Sequence, residues 1–162
     1  MMLPEEVTKL IGKAGEVHVF QVEKEPIRRF ADAVDDANPL YRDEDYARSS
    51  KYGSIIAPPG FISSPWFSRP KSGTPSPSAR EELRNALQKA GYTNPAAVDA
   101  GIEYEFFCPV RAGDTIAFTS TIKEIIEREG KTGKMAFVIT ETNYTNQNGD
   151  LVATARGTVI QR

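Results

Sequence analysis

With 162 residues, the chain has the length of one domain, and its 40% apolar content is enough for a sizeable core. The formal net charge of −2 gives no reason to expect nucleic acid or a charged membrane surface as a partner. A single histidine, His18, and a single cysteine, Cys108, exclude an internal disulfide and a zinc site of ordinary cysteine and histidine ligands.

The chain begins with "MMLPEEVTKLIGKAG", which lacks the apolar core of a signal peptide. No segment elsewhere is long and apolar enough to span a bilayer. One cysteine is also compatible with a reducing compartment. We therefore expect a cytoplasmic protein that does not associate with membranes.

The next elements are predicted to be a strand and a helix. Residues 16–23, "EVHVFQVE", alternate between two faces, as a strand does. In residues 25–39 the apolar side chains recur on one helical face; they are Ile27, Phe30, Ala31 and Val34. We expect Pro26 to occupy the first helical position and Pro39 to help end the helix.

The middle of the chain is less regular. Residues 41–53 are polar and predict an irregular segment, and a short buried helix is expected to start near Pro59 or Gly60. Residues 68–78 are rich in serine, proline and glycine and predict an exposed loop. Residues 78–92 predict a solvent-facing helix that Ser78 caps, with Glu81 completing a capping box and Gly91 at its end.

The last third of the chain predicts four antiparallel strands. Four β-rich runs cover residues 101–110, 114–129, 134–146 and 150–162, and Asn148-Gly149 is a strong hairpin signal. The order of elements predicts an α+β fold in which a central helix packs against a curled antiparallel sheet. We expect one domain over residues 1–162, with an insertion of a loop and a surface helix at about 68–98.

Two short motifs carry a family resemblance. "DANPLY" at residues 36–41 is followed by "IIAPPGF" at residues 55–61, and "FCPVRAGDTI" (107–116) and "NQNGDLVATARGTV" (146–159) add a matching strand and turn pattern. Together they resemble the MaoC-like hydratases and dehydratases, most closely the N-terminal-type (FAS1-like) MaoC dehydratase domain. The resemblance runs from Ile11 to about Ile160 and implies a hotdog fold.

The resemblance implies a site and a reaction. Family members add water to a trans-2-enoyl thioester, or remove it, with a motif that reads Asp-x-Asn-Pro-x-His. Asp36 and Asn38 match this motif, and Tyr41 stands in the place of the histidine. Gly60 matches the glycine whose N–H binds the thioester oxygen. We expect three side chains near this glycine to contact the acyl substrate, and they are Pro59, Phe61 and Trp66. The reaction needs no metal or cofactor.

The tyrosine changes the chemistry that this site can perform. A neutral imidazole accepts a proton near pH 7, whereas a phenol has a pKa near 10, so only about a thousandth is ionised at pH 7. Tyr41 therefore predicts a degenerate site, in which it can donate and orient but serves poorly as a base. Simpler readings stay open: Asn38 as a turn residue, Tyr41 as a core-edge aromatic, Gly60 as a tight turn and Trp66 as a core residue.

Three functions fit the sequence. The first is a subunit of an (R)-specific enoyl-thioester hydratase or 3-hydroxyacyl-thioester dehydratase, which shapes the acyl pocket while a second hotdog subunit carries the Asp/His pair. The second is a homodimeric hydratase that uses Asp36 alone. The third is a non-enzymatic protein that binds acyl thioesters. In each case the expected ligand is an acyl-CoA or acyl-carrier-protein thioester, and the expected assembly is a dimer.

Overall fold

A computed structural model describes residues 3–67, 79–92, 97–130 and 133–162 of the protein. Its helices are α1 (Glu5–Thr8), α2 (Lys24–Ala33), α3 (Glu44–Ser49) and α4 (Ala79–Lys89), and Pro39–Tyr41 and Pro59–Phe67 are 3₁₀ helices. Its strands are β1 (His18–Gln21), β2 (Val98–Phe106), β3 (Thr115–Gly130), β4 (Gly133–Thr145) and β5 (Leu151–Gln161). None of the helices in the described ranges has the length and apolar character needed to cross a membrane.

The five strands form one antiparallel sheet in the order β1-β3-β4-β5-β2. This arrangement confirms the predicted α+β class and all four strands of the last third. The predicted Asn148-Gly149 hairpin joins β4 to β5, and Gly149 has the positive φ of 84° that this turn requires. The side chain of Asn146 closes the turn by accepting hydrogen bonds from the backbone N–H groups of Asn148 and Asp150.

The predicted start and the predicted end of helix α2 both need correction. Helix α2 begins at Lys24, so Pro26 is its third residue, where the missing N–H still costs no helical hydrogen bond. The helix ends at Ala33, well before Pro39. The residue that ends it is Asp35, whose φ of 55° turns the chain away from the helical path.

The prediction of an irregular segment over residues 41–53 is wrong for part of it. Helix α3 occupies Glu44–Ser49, and the Asp43 side chain caps it by accepting hydrogen bonds from the N–H groups of Asp45 and Tyr46. A helix of six residues is too short to show a hydrophobic period. The capping aspartate was the available signal.

The sequence predicts that helix α4 faces solvent, but in the structure one face of this helix is buried. Leu83 and Leu87 are 6% and 2% exposed, respectively, and pack against Val7 and Leu10 from the N-terminal segment. Gly91 follows the helix with a φ of 95°, as predicted for its end. The Ser78 cap and the exposed loop predicted for residues 68–78 lie outside the described residues, as does part of the predicted insertion at 68–98.

The described hydrophobic residues form two separate groups. The first, called here the main core, joins α2, the start of the 3₁₀ helix Pro59–Phe67, and the adjacent half of the sheet around Ile116, Phe118 and Tyr144. The second, called the α1/α4 cluster, packs those two helices on Ile122, Ile125 and Val138 at the other half of the sheet. The predicted site residues Tyr41 and Phe61 belong to the main core.

We expect Leu87→Ala to lower the free energy of unfolding by roughly 2–4 kcal/mol, because it opens a cavity among the buried side chains of the α1/α4 cluster. Urea denaturation of the purified protein measures this change. Gln88→Ala removes an exposed side chain from the same helix and is the matched control. Equal effects of the two substitutions would show that α4 does not pack on the sheet.

Candidate active site

The candidate site begins where helix α2 ends. Asp35 adopts the left-handed conformation, which aspartate tolerates better than most residues. The next N–H, that of Asp36, donates a hydrogen bond of 2.8 Å to the carbonyl oxygen of Ala31, as in a left-handed helix cap. The conformation of Asp35 therefore fixes the direction in which Asp36 leaves the helix.

Two side chains then hold the following loop by bonds to its own backbone. The Oδ1 atom of Asp36 accepts a hydrogen bond of 3.0 Å from the N–H of Asn38. The Oδ1 atom of Asn38 accepts one of 3.1 Å from the N–H of Leu40. Asn38 thus makes the turn hydrogen bond that its residue type favours. The other carboxylate oxygen of Asp36 accepts no hydrogen bond from the described residues.

Arg42 fastens this loop to helix α2. One guanidinium nitrogen donates to the carbonyl oxygen of Asp36 at 2.6 Å, and another donates to the Asp32 carboxylate at 3.0 Å. The arginine therefore holds both sides of the turn that carries Asp36. Sequence reasoning missed this role, because Arg42 is one of two arginines in the mostly charged segment 42–48 and gives no signal of its own.

Tyr41 is buried at the edge of the main core, with 8% of its surface exposed. Burial raises the pKa of its phenol above the usual value of 10, and the negative charge of Asp36 raises it further. Tyr52 contributes in the same direction. All three effects favour the protonated phenol, so the Tyr41 hydroxyl can donate a hydrogen bond and is a worse base than an ordinary tyrosine.

The structure also brings Gly60 next to helix α2. A Cβ atom at Gly60 would lie only 3.2 Å from the Phe30 ring, so the absence of a side chain allows this close approach. The Phe30 and Phe61 rings meet edge to face, with their centroids 5.9 Å apart. The described residues supply no acceptor for the N–H of Gly60. Phe61 is buried, and Pro59 is exposed beside it.

A backbone contact links the two halves of the candidate site. The N–H of Ile56 donates to the carbonyl oxygen of Leu40, which joins the Asp36–Tyr41 loop to the segment that leads into Gly60. Arg111 supports the same segment by bonding the carbonyl oxygen of Tyr52 and the Ser54 hydroxyl. The sequence gives no signal for the contact between Tyr52 and Arg111, because the two residues lie far apart along the chain.

Two other features bear on the predicted site. The side chain of Trp66 lies outside the described residues, so its predicted contact with the acyl substrate stays a prediction. A surface groove of about 380 Å³ lies between α1 and α4 and is lined mostly by charged and amide side chains. It includes none of the candidate residues.

The chain is similar to known proteins over most of its length. A family model described as "FAS1-like, dehydratase domain region" matches residues 9–155. A "Probable enoyl-CoA hydratase alpha subunit" from Thermomonospora curvata is 33% identical over 140 residues, which are 83% of this chain. The match spans 43% of the length of that relative.

Solved structures with this architecture confirm the predicted hotdog fold. The ChsH1-ChsH2 complex from Mycobacterium tuberculosis contains a chain with a TM-score of 0.83 at 17% identity, and the match covers 97% of this chain and 94% of that one. The C-terminally truncated HadBC (3R-hydroxyacyl-ACP dehydratase) complex from the same organism has a TM-score of 0.67 at 25% identity. That match covers 93% of this chain and 96% of the other.

We expect the stabilising effect of Tyr41 to be lost at high pH. Its pKa is raised in the folded protein, so above about pH 10 the unfolded chain loses the phenol proton first. The free energy of unfolding of the wild type should then fall, relative to Tyr41→Phe, as the pH rises from about 9 to 11. Urea denaturation at each pH measures the difference.

Tyr46→Phe is the matched control, because it removes an exposed phenol from helix α3. A difference between the wild type and Tyr41→Phe that stays constant through this range would contradict a raised pKa for Tyr41.

Proposed function

Because the chain belongs to the FAS1-like dehydratase domain family, we propose that it is one subunit of an (R)-specific enoyl-thioester hydratase or 3-hydroxyacyl-thioester dehydratase. In this proposal it shapes the acyl pocket, and a second hotdog subunit supplies the Asp/His pair. The observation that carries the proposal is Tyr41, a buried phenol with a raised pKa in the position of the motif's histidine. Family membership confirms the resemblance to the MaoC-like hydratases and dehydratases.

The chemistry explains why a partner is needed. Hydration requires a group that takes a proton from water and later returns it, and a positioned base is worth roughly 100- to 10,000-fold in rate. Tyr41 keeps its proton at neutral pH. His18 belongs to β1, where its ring stacks on Phe118 with the centroids 5.1 Å apart. The base is therefore assigned to the partner subunit.

Each candidate residue keeps a defined role in this proposal. Asp36 has one carboxylate oxygen engaged by the loop, which leaves the other to hold a water molecule or a hydroxyl of the acyl chain. The N–H of Gly60 binds the thioester carbonyl oxygen, an interaction that strengthens as negative charge develops there. Asn38 positions the loop, while Pro59, Phe61 and Trp66 line the acyl pocket.

The names of similar proteins support a role within an assembly. The Thermomonospora curvata relative is named as an alpha subunit, and both solved structures described above are complexes. The proposed ligand is an acyl-CoA or acyl-carrier-protein thioester, and the proposed location is the cytoplasm. The activity, the substrate and the partner of the whole assembly all belong to this proposal.

One observation favours a second candidate, a homodimer that is active through Asp36 alone. One carboxylate oxygen of Asp36 accepts no hydrogen bond from the described residues, and the Asp36 charge acts on Tyr41 strongly enough to raise the pKa of its phenol. A carboxylate can act as a general base when it is positioned within hydrogen-bond reach of the proton that it takes. In that case the purified chain would hydrate crotonyl-CoA without a partner, and Asp36→Asn would abolish the activity.

We expect the purified wild-type chain to hydrate crotonyl-CoA no faster than buffer, and Tyr41→His to gain activity. The imidazole would lie beside Asp36 and restore the family motif, and an acid–base group of this kind is worth roughly 100-fold or more. The loss of crotonyl-CoA absorbance measures the rate. Adding Asp36→Asn to Tyr41→His should remove the gain.

Tyr46→His is the matched control, because it introduces a histidine on the exposed face of α3. Substantial activity of the wild-type chain alone would overturn the need for a partner and favour the homodimer. A folded Tyr41→His protein that stays inactive would count against the placement of Tyr41 in the histidine position.

A further inference from the structure

Helix α2 ends among carboxylates. Asp32 lies in its last turn, and Asp35 and Asp36 follow shortly after the helix. The carboxyl end of a helix carries a partial negative charge, so carboxylates at that end are destabilising. The structure describes the whole of α2, and none of the residues in its last turn is basic. A cation from another segment of the chain would relieve this repulsion.

Arg42 supplies this cation. One nitrogen of its guanidinium lies 3.0 Å from the Asp32 carboxylate, and another lies 2.6 Å from the carbonyl oxygen of Asp36. The Arg42 side chain is 33% exposed, against 68% for Arg48 in helix α3. Solvent therefore screens the contacts of Arg42 less than those of Arg48.

The Asp32 carboxylate is itself held from two sides. Its Oδ1 atom accepts the hydrogen bond from Arg42, and its Oδ2 atom accepts one of 2.9 Å from Arg28. The Arg28 guanidinium is in turn bonded to both carboxylate oxygens of Glu25, at 2.8 and 2.9 Å. Side chains that already belong to a network lose less conformational freedom when they form a further ion pair. Arg42 is therefore anchored on an ordered row of charges along α2.

Three contacts fix the position of Asp36. Its N–H donates to the Ala31 carbonyl oxygen, and one of its carboxylate oxygens accepts from the Asn38 N–H. The third contact is the hydrogen bond from Arg42 to its carbonyl oxygen. Only this third partner is a side chain, since the other two are backbone groups. The orientation of the second carboxylate oxygen, which accepts no hydrogen bond from the described residues, therefore depends in part on Arg42.

We propose that Arg42 is a positioning residue of the candidate site, which sets the orientation of the Asp36 carboxylate toward its ligand. Arg42 acts through Asp36 and is held by Asp32, and it does not itself contact the acyl thioester. The proposal rests on the proposed function, in which the second carboxylate oxygen of Asp36 holds a water molecule or a hydroxyl of the acyl chain. Tyr41 reports this orientation, because the Asp36 charge raises the pKa of its phenol.

The pKa of Tyr41 provides the first test, in the purified chain and without any substrate. Loss of a nearby positive charge would by itself raise the pKa of a phenol. Displacement of the Asp36 carboxylate away from Tyr41 has the opposite effect, so we expect Arg42→Gln to lower this pKa toward the usual value of 10. NMR of isotope-labelled tyrosine measures the titration, and the Tyr41 resonance is the one that Tyr41→Phe lacks.

Arg48→Gln is the matched control, because Arg48 bonds Asp45 and does not contact the Asp36 turn. This variant should keep the wild-type pKa of Tyr41. Arg42→Lys keeps the charge but lacks the planar group that reaches both acceptors, so its value should lie between those of the wild type and Arg42→Gln. A pKa that stays constant or rises in folded Arg42→Gln would overturn the proposal. If Arg42→Gln fails to fold, a wild-type pKa in Arg42→Lys would do so.

A general loosening of the loop would also lower the pKa of Tyr41, because water would then reach the ring. The Asp36→Asn background separates the two causes, since asparagine can still accept the hydrogen bond from the Asn38 N–H but carries no charge. In this background we expect Arg42→Gln to leave the pKa of Tyr41 unchanged. A decrease as large as that in the wild-type background would show that Arg42 only stabilises the loop, which would contradict a positioning role.

Hydration of crotonyl-CoA measures the consequence for the proposed reaction. In the Tyr41→His protein, we expect Arg42→Gln to lower kcat by roughly 10- to 100-fold with little change in KM, because it displaces a reacting group without removing a binding contact. Arg48→Gln should change neither constant. An active Tyr41→His protein whose kcat is insensitive to Arg42→Gln would count against the proposal. The titration of Tyr41 needs no activity, so an inactive Tyr41→His protein would contradict the proposed function while the titration still decides the role of Arg42.

Discussion

The left-handed turn at Asp35 is the constraint on which the candidate site depends. Asp35 lies two residues beyond Ala33, the last residue of α2, and the hydrogen bond from the Asp36 N–H to the Ala31 carbonyl oxygen fixes the exit of the chain. Every later feature of the loop follows from that exit: the carboxylate of Asp36 caps the turn at Asn38, Arg42 ties the turn back to α2, and Tyr41 enters the main core. A helix that continued to Pro39 would have placed Asp36 on its own surface and removed the loop.

Burial makes the Tyr41 phenol harder to ionise than a phenol in water, so it is even less able to replace the base that an imidazole would provide. The low polarity around the ring and the neighbouring Asp36 charge both oppose ionisation. Tyr41 is therefore held in the protonated form, and in the proposed function the loop around it keeps the scaffold of an acid–base centre. Binding and orientation of an acyl thioester remain compatible with this arrangement, since both use hydrogen-bond donors and apolar walls.

Local sequence patterns predicted much of the fold, and long-range packing accounts for what they missed. The β-rich runs in the last third of the chain and the Asn148-Gly149 turn predicted the four strands. Both signals depend only on residues that are close together in the sequence. The spacing of Leu83 and Leu87 is a local signal for a buried face of α4, but it could not identify Val7 and Leu10 as the residues that cover this face, because they lie far away along the chain. For the candidate site, Asp36, Asn38 and Tyr41 stay predictions from the motif, which the structure places in one loop, whereas the contact of Phe30 with Gly60 depends on the tertiary fold.

The separation of the α1/α4 cluster from the main core has a consequence for how the molecule opens. The two groups of buried side chains have no member in common among the described residues and lie on different halves of the same sheet. Helices α1 and α4 are therefore expected to undock together as a cooperative unit, at a lower free-energy cost than global unfolding. Amide hydrogens of these two helices would then exchange with solvent sooner than those of α2, and the far half of the sheet would become accessible while the loop around Asp36 keeps its native shape.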